Sequence, residues 1–139
     1  MTRCLLRIAI GVAALSAAMG SRAAECGSDL QGVKRTVENS RFEVAYATTP
    51  HPVPLDKHFI VEFAVCPRDS GQLPLSAKVN AIMPEHRHGM NYVPSVTSPR
   101  PGVYRGEGFL FHMPGRWELV FSLGTANGTE RIVQALVAE

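Results

Sequence analysis

Cysteine is scarce in this chain: there are three in 139 residues, with no C-x-x-C pair among them. That removes the common thiolate knuckle of zinc modules and the dithiol of redox motifs. No G-x-S-x-G, H-E-x-x-H or P-loop occurs, so the motif-bearing hydrolases, metalloproteases and nucleotide enzymes have no footing here. Carboxylates are scattered, without a pair that can be placed across a cleft, and the expectation is a protein that is not an enzyme. After the first residues no segment is apolar for long enough to cross a bilayer, so stable membrane insertion is not expected. Internal repeats and low-complexity tracts are missing too.

What is present begins with an address. Arg3 and Arg7 make a charged start, Ile8 to Ala18 an apolar run, and Ser21-Arg22-Ala23 a small-x-small cleavage site. This predicts a secretory signal peptide over 1–23, a single domain over 24–139, and a periplasmic or secreted location. Losing Arg3, Arg7 and Arg22 takes the basic count from 14 to 11 against 12 acidic residues, leaving the mature chain near −1. The basic character belongs mostly to the signal, and with no Lys/Arg cluster left nucleic acid is not an expected partner. Cys4 leaves as well. Cys26 and Cys66 remain in a chain bound for an oxidising compartment, and we expect them to form one disulfide.

Hydrophobic residues recur with period two. Phe42, Val44 and Tyr46 alternate with Glu43 and Ala45; Phe59, Val61, Phe63 and Val65 form a second series, Leu75 to Met83 a third, and Trp117 to Leu123 a fourth. Val103 to His112 and Ile132 to Val137 add two strands, and Asn91 to Thr97 a weaker one. Turn chemistry separates them in "TTPHPVP", "PRDSGQLP", "SPRPG", "MPG" and "GTANGT". Asn127-Gly128-Thr129 fits a glycosylation acceptor formally, but Asn-Gly between two strands is a hairpin signal. Only Ser28 to Val37 offers a helical alternative. The pattern predicts an all-β fold, an antiparallel immunoglobulin-like sandwich of about seven strands.

Strand counting then gathers the unusual side chains. If successive strands alternate in direction, His51, His58, His86, His88 and His112, with Met83, Met90 and Met113, all arrive at one end, and Cys66 at the other. The inference depends on the return strand near 91–97, without which His112 would lie opposite His86. Imidazoles with thioethers are a copper donor set, zinc being less favoured because methionine seldom binds it. His86 and His88, at i and i+2, share a face if the segment is extended, and Gly89 would let the chain turn so that Met90 approaches. Each residue also has an ordinary explanation: Met83 is in phase with the core, His51 lies between prolines, His58 starts a strand, and His112-Met113 precedes a Pro-Gly turn.

The stretch Met83-Pro84-x-His86-x-His88-Gly89-Met90, followed by Tyr104-x-Gly106 and then Phe111-His112-Met113-Pro114-Gly115-Arg116-Trp117-x-Leu119, resembles the YtkA-like and FixH-like families of small exported or membrane-anchored β-sandwich domains. The resemblance spans roughly residues 40 to 137. It implies an immunoglobulin-like sandwich, a link to copper handling or respiratory-oxidase assembly, and a site at Met83, His86, His88, Met90, His112 and Met113. Two functions stand side by side. One is a periplasmic copper-binding carrier, buffer or delivery accessory, whose partners are copper ion and a membrane or periplasmic copper-handling protein. The other is a non-metal assembly module contacting a membrane protein complex, and the position of His112 relative to His86 and His88 separates the two.

Overall fold

The computed structural model describes residues 24–139; the expected signal peptide, its cleavage site and Cys4 lie outside the described residues. The chain forms nine strands: β1 (Arg35–Glu38), β2 (Phe42–Thr49), β3 (His58–Pro67), β4 (Ser76–Met83), β5 (His88–Gly89), β6 (Ser95–Arg100), β7 (Val103–Leu110), β8 (Gly115–Thr125) and β9 (Gly128–Ala138). They make two antiparallel sheets, ordered β1-β2-β3-β7-β6 and β5-β4-β8-β9. Leaving aside the short β1 and β5, the neighbours β2-β3-β7-β6 and β4-β8-β9 reproduce the four-on-three Greek-key arrangement of an immunoglobulin-like sandwich. Among the described residues no helix is long and apolar enough to cross a membrane.

Alternation explains which side of each strand is dry. Phe42, Val44 and Tyr46 from β2, Phe59, Val61, Phe63 and Val65 from β3, and Trp117, Leu119, Phe121 and Leu123 from β8 all point between the sheets. Rings fill most of that space. Phe63 packs on Tyr104 and Phe121 with centroids 5.0 and 5.2 Å apart, and Phe111 lies flat on Trp117 at 4.2 Å. Met83, at 1 % exposure, is part of the same core.

A second small cluster sits on the outer face of the larger sheet. Cys26 packs over Ala45 and Ala64, and its disulfide to Cys66 spans 5.9 Å between Cα atoms. Small residues occur there because the 26–30 segment presses close: a Cβ on Gly27, which sits at φ +63°, would come within 2.7 Å of the Ala45 Cβ. Closing a loop of about 40 residues should stabilise the fold by about 3 to 4 kcal/mol through the unfolded chain.

The structure corrects several expectations. Ser28 to Val37 is not helical: backbone bonds from Ser28 to Glu25 and from Leu30 to Gly27 make turns, Gly32 at φ +89° breaks any helix, and Thr36 and Val37 pair into β1. Leu75 is not a core residue; it precedes β4 and is 79 % exposed. The return strand is real but later than expected, Ser95–Arg100, so only Pro101 and Gly102 of "SPRPG" make the turn. The two glycines of "RGEGF" serve a bulge: β3 partners jump from Phe59–Phe109 to Val61–Gly106, with Gly108 at φ +91°. The hairpin expected at Asn127-Gly128 forms one residue earlier: Ala126 and Asn127 make the β8–β9 turn, and Gly128 is already paired with Thr125.

Candidate metal centre

The strand directions bring the histidine loops to one end. β2 rises to Thr49, β3 descends from His58, β4 rises to Met83, and β7 rises towards His112, each pair antiparallel. His86 and His88 follow β4 directly, and His112-Met113 fill the short link from β7 to β8. Cys66, at the far end of β3, is on the opposite side.

Three imidazoles come together there. The rings of His88 and His112 stack with centroids 5.3 Å apart, and His86 lies 5.8 Å from His88. Trp117 forms the floor beneath two of them, edge-on to His88 at 5.9 Å and to His112 at 5.6 Å. His88 reaches this position because β5, only two residues long, pairs His88 with Met83. Directly paired residues project to the same face of a sheet, and Met83 faces the core. Met90 and Met113 are half-buried and pack against the same core.

The local route differs from the extended segment expected for 86–88. Pro84–His86 is a single 3₁₀ turn, and the reversal is made by Arg87 in the left-handed region at φ 54°. His86 and His88 therefore do not share the face of a strand, although their rings are still neighbours. Gly89 does not supply the turn. Its part is close approach, since a Cβ there would sit 3.2 Å from the Ala81 carbonyl oxygen.

Hydrogen bonding distinguishes the two stacked rings. His88 Nδ1 lies 2.9 Å from the Gly89 carbonyl, which can only accept, so Nδ1 carries a proton and Nε2 is the nitrogen left for a ligand. His112 Nδ1 is buried with no hydrogen-bond partner. An unpartnered buried nitrogen is costly unless something else satisfies it, and a metal ion would. The remaining histidines stand apart from this group of rings. His58 packs against Tyr92 at 6.2 Å, and His51 lies 3.5 Å from the Thr48 hydroxyl, beside a cavity at the sandwich edge.

Among the described residues no three His, Cys, Asp or Glu side chains are placed to hold a metal ion together. The end of the sandwich offers the stacked His88 and His112 rings, with Met90 and Met113 close in sequence and packed on the same core, and thioethers suit Cu(I) far better than zinc. Sequence reasoning missed two residues that shape this end. Trp117 donates its indole Nε1–H to the Met113 carbonyl at 3.0 Å, fixing the His112-Met113 link, and Gly115 at φ +118° brings its backbone against Met83, whose Cε would be 3.2 Å from an added Cβ. The available signal was the chain's single tryptophan, two residues after the Pro-Gly turn. No family model, curated protein or solved structure matches this chain.

Proposed function

We propose that this chain is a periplasmic copper-binding protein, a carrier, buffer or delivery accessory, which takes Cu(I) at the end of its sandwich through His88 and His112 with thioethers from Met90 and Met113. The observation that carries the reading is the stacked His88–His112 pair, 5.3 Å between centroids, with the His112 Nδ1 buried and unpartnered. Further support comes from His88, whose Nδ1 is committed to a backbone carbonyl as in many metal-bound imidazoles. His86, exposed on its 3₁₀ turn and next to His88, is suited to capture or hand over the ion. Met83 is fully buried under Gly115 and supports the site from below. The Cys26–Cys66 disulfide suits an oxidising compartment, where a thioether keeps a soft donor available without disulfide exchange. The resemblance to YtkA-like and FixH-like domains points the same way.

The test is titration of the disulfide-intact protein with Cu(I), anaerobically, and separately with Cu(II), following the fluorescence of the single tryptophan. Stoichiometric quenching by Cu(I), lost in the His88→Ala/His112→Ala double variant with the fold intact, is the expected result. If Cu(I) binds no better to the protein than to that variant, the assembly-module reading takes its place.

A further inference from the structure

A cavity of about 540 Å³ opens where the β1–β2 edge of one sheet meets β9 of the other. Its volume lies within the range of small-ligand sites, about 300 to 1,000 Å³. The walls are apolar at Val33, Val53 and Leu136. The polar groups that line it come chiefly from the larger sheet, and two of them are donors without a protein acceptor among the described residues.

The first is Tyr46. Its side chain is 2 % exposed, it lines the cavity, and its hydroxyl is buried with no hydrogen-bond partner. Burial pushes the phenol pKa up, only partly opposed by the nearby Arg35 charge, so at neutral pH the group is a proton donor without an acceptor. The second is Arg35. It is the direct partner of Tyr46 across the β1–β2 pair, so both project to the inner face of the sheet. Arg35 is exposed at the sheet edge, where a charge also guards the strand against further pairing, and among the described residues it makes no ion pair, whereas Arg116 on the other wall is bound to Glu118 at 2.9 Å. Thr48 and His51 add a hydroxyl and an imidazole beside Tyr46, 3.5 Å from each other. The one carboxylate side chain lining the cavity is that of Glu139.

An exposed guanidinium without an ion-pair partner and a buried phenolic donor without an acceptor, on the wall of a cavity that also carries apolar residues, suit an anionic acceptor on an apolar body. We propose that this cavity binds a small organic carboxylate, with the carboxylate against Arg35 and the Tyr46 hydroxyl and the aliphatic body against Val53 and Leu136. The cavity shares no lining residue with the proposed copper site at His86, His88, Met90, His112 and Met113, although His51 borders it. A ligand here would satisfy the buried Tyr46 hydroxyl and tie β1 to β9, the two strands that border the open edge.

The probe is octanoate, with 1-octanol as the neutral analogue of the same chain length, titrated into ¹⁵N-labelled protein and followed by amide shifts. Octanoate should give saturable shifts in β1, around Tyr46 and Val53, and at Leu136, and should bind at least about tenfold more tightly than octanol, as a charge-assisted contact requires. Arg35→Gln, at an exposed position where folding should survive, should bring octanoate down to the level of octanol, Arg35→Lys should keep part of the preference, and Tyr46→Phe should weaken octanoate without affecting octanol. Absence of saturable shifts, shifts located elsewhere, equal affinity for the two probes, or an Arg35→Gln variant that binds octanoate as the parent does would each overturn the proposal.

Discussion

The indole Nε1–H of Trp117 donates to the carbonyl of Met113 across 3.0 Å, while the ring itself is sandwiched beneath His88 and His112 and against Phe111. One side chain thus sets both the backbone that presents Met113 and the floor on which two imidazoles rest. Trp117→Phe keeps an aromatic floor but leaves the Met113 carbonyl without its donor. We expect a loss of about 2 kcal/mol in urea unfolding and weaker Cu(I) binding, the second effect being read by competition with a chromogenic chelator.

On the copper reading, the two thioethers should separate the oxidation states. Met90→Leu/Met113→Leu preserves shape and apolarity, so the thermal midpoint should change little. Affinity for Cu(I) should fall by at least about tenfold while that for Cu(II), governed by the imidazoles, stays nearly unchanged. Equal losses for both ions would remove the methionines from the donor set.

Gly115 cannot take a side chain cheaply. At φ +118° it holds a conformation few L-residues adopt, and its missing Cβ leaves room for the Met83 Cε. Gly115→Ala should cost about 1 to 3 kcal/mol, measured by denaturant unfolding. Shortening Met83 in that background should recover only part of the loss, because the backbone conformation is unaffected.

Above pH 10 the fold should weaken. Burial raises the pKa of Tyr46 and of Tyr104, so the native state holds protons that the unfolded chain releases near pH 10. Stability from this source is complete below the unfolded value and is lost as pH rises through the folded one. Tyr46→Phe should flatten the alkaline limb of the stability profile and, since the hydroxyl has no partner, should cost little at pH 7. A large loss at neutral pH would show that the hydroxyl is hydrogen-bonded in solution.

Reducing the disulfide, or replacing both cysteines with alanine, should lower stability by about 3 kcal/mol while leaving the affinity for copper in place, because Cys66 lies at the end of β3 away from the histidines. Loss of metal binding in a variant shown to be folded would contradict that separation.

The fold was legible where burial imposes a period. Phe59, Val61 and Phe63 alternate because one face of β3 is dry, and the same holds for Trp117, Leu119 and Phe121 on β8. Strand counting was also enough to bring His112 to the end that carries His86 and His88. What escaped the sequence was short-range geometry. Arg87 takes the left-handed turn that the neighbouring glycine seemed made for, and Gly89 instead lets two strands approach. Leu75 continues the alternation by one residue past the point where the sheet begins. The inward-facing Arg35 could not be anticipated, since nothing in "KRTVEN" marks an edge strand whose register brings that residue opposite Tyr46.

The β8–β9 hairpin has a consequence for the order in which the protein assembles. Its strands pair from Thr125–Gly128 out to Gly115–Ala138, eleven partners closed by a two-residue connection. Nucleation at such a tight loop costs little chain entropy, so pairing should zip outward from the turn. The Gly115–Ala138 end, continuous with the His112-Met113 link, would then close late and be the first part of the hairpin to fray, with the opposite end still locked. Amide exchange along β8 should accordingly slow from Gly115 towards the hairpin turn, and a ligand bound at the histidine end would reverse that gradient.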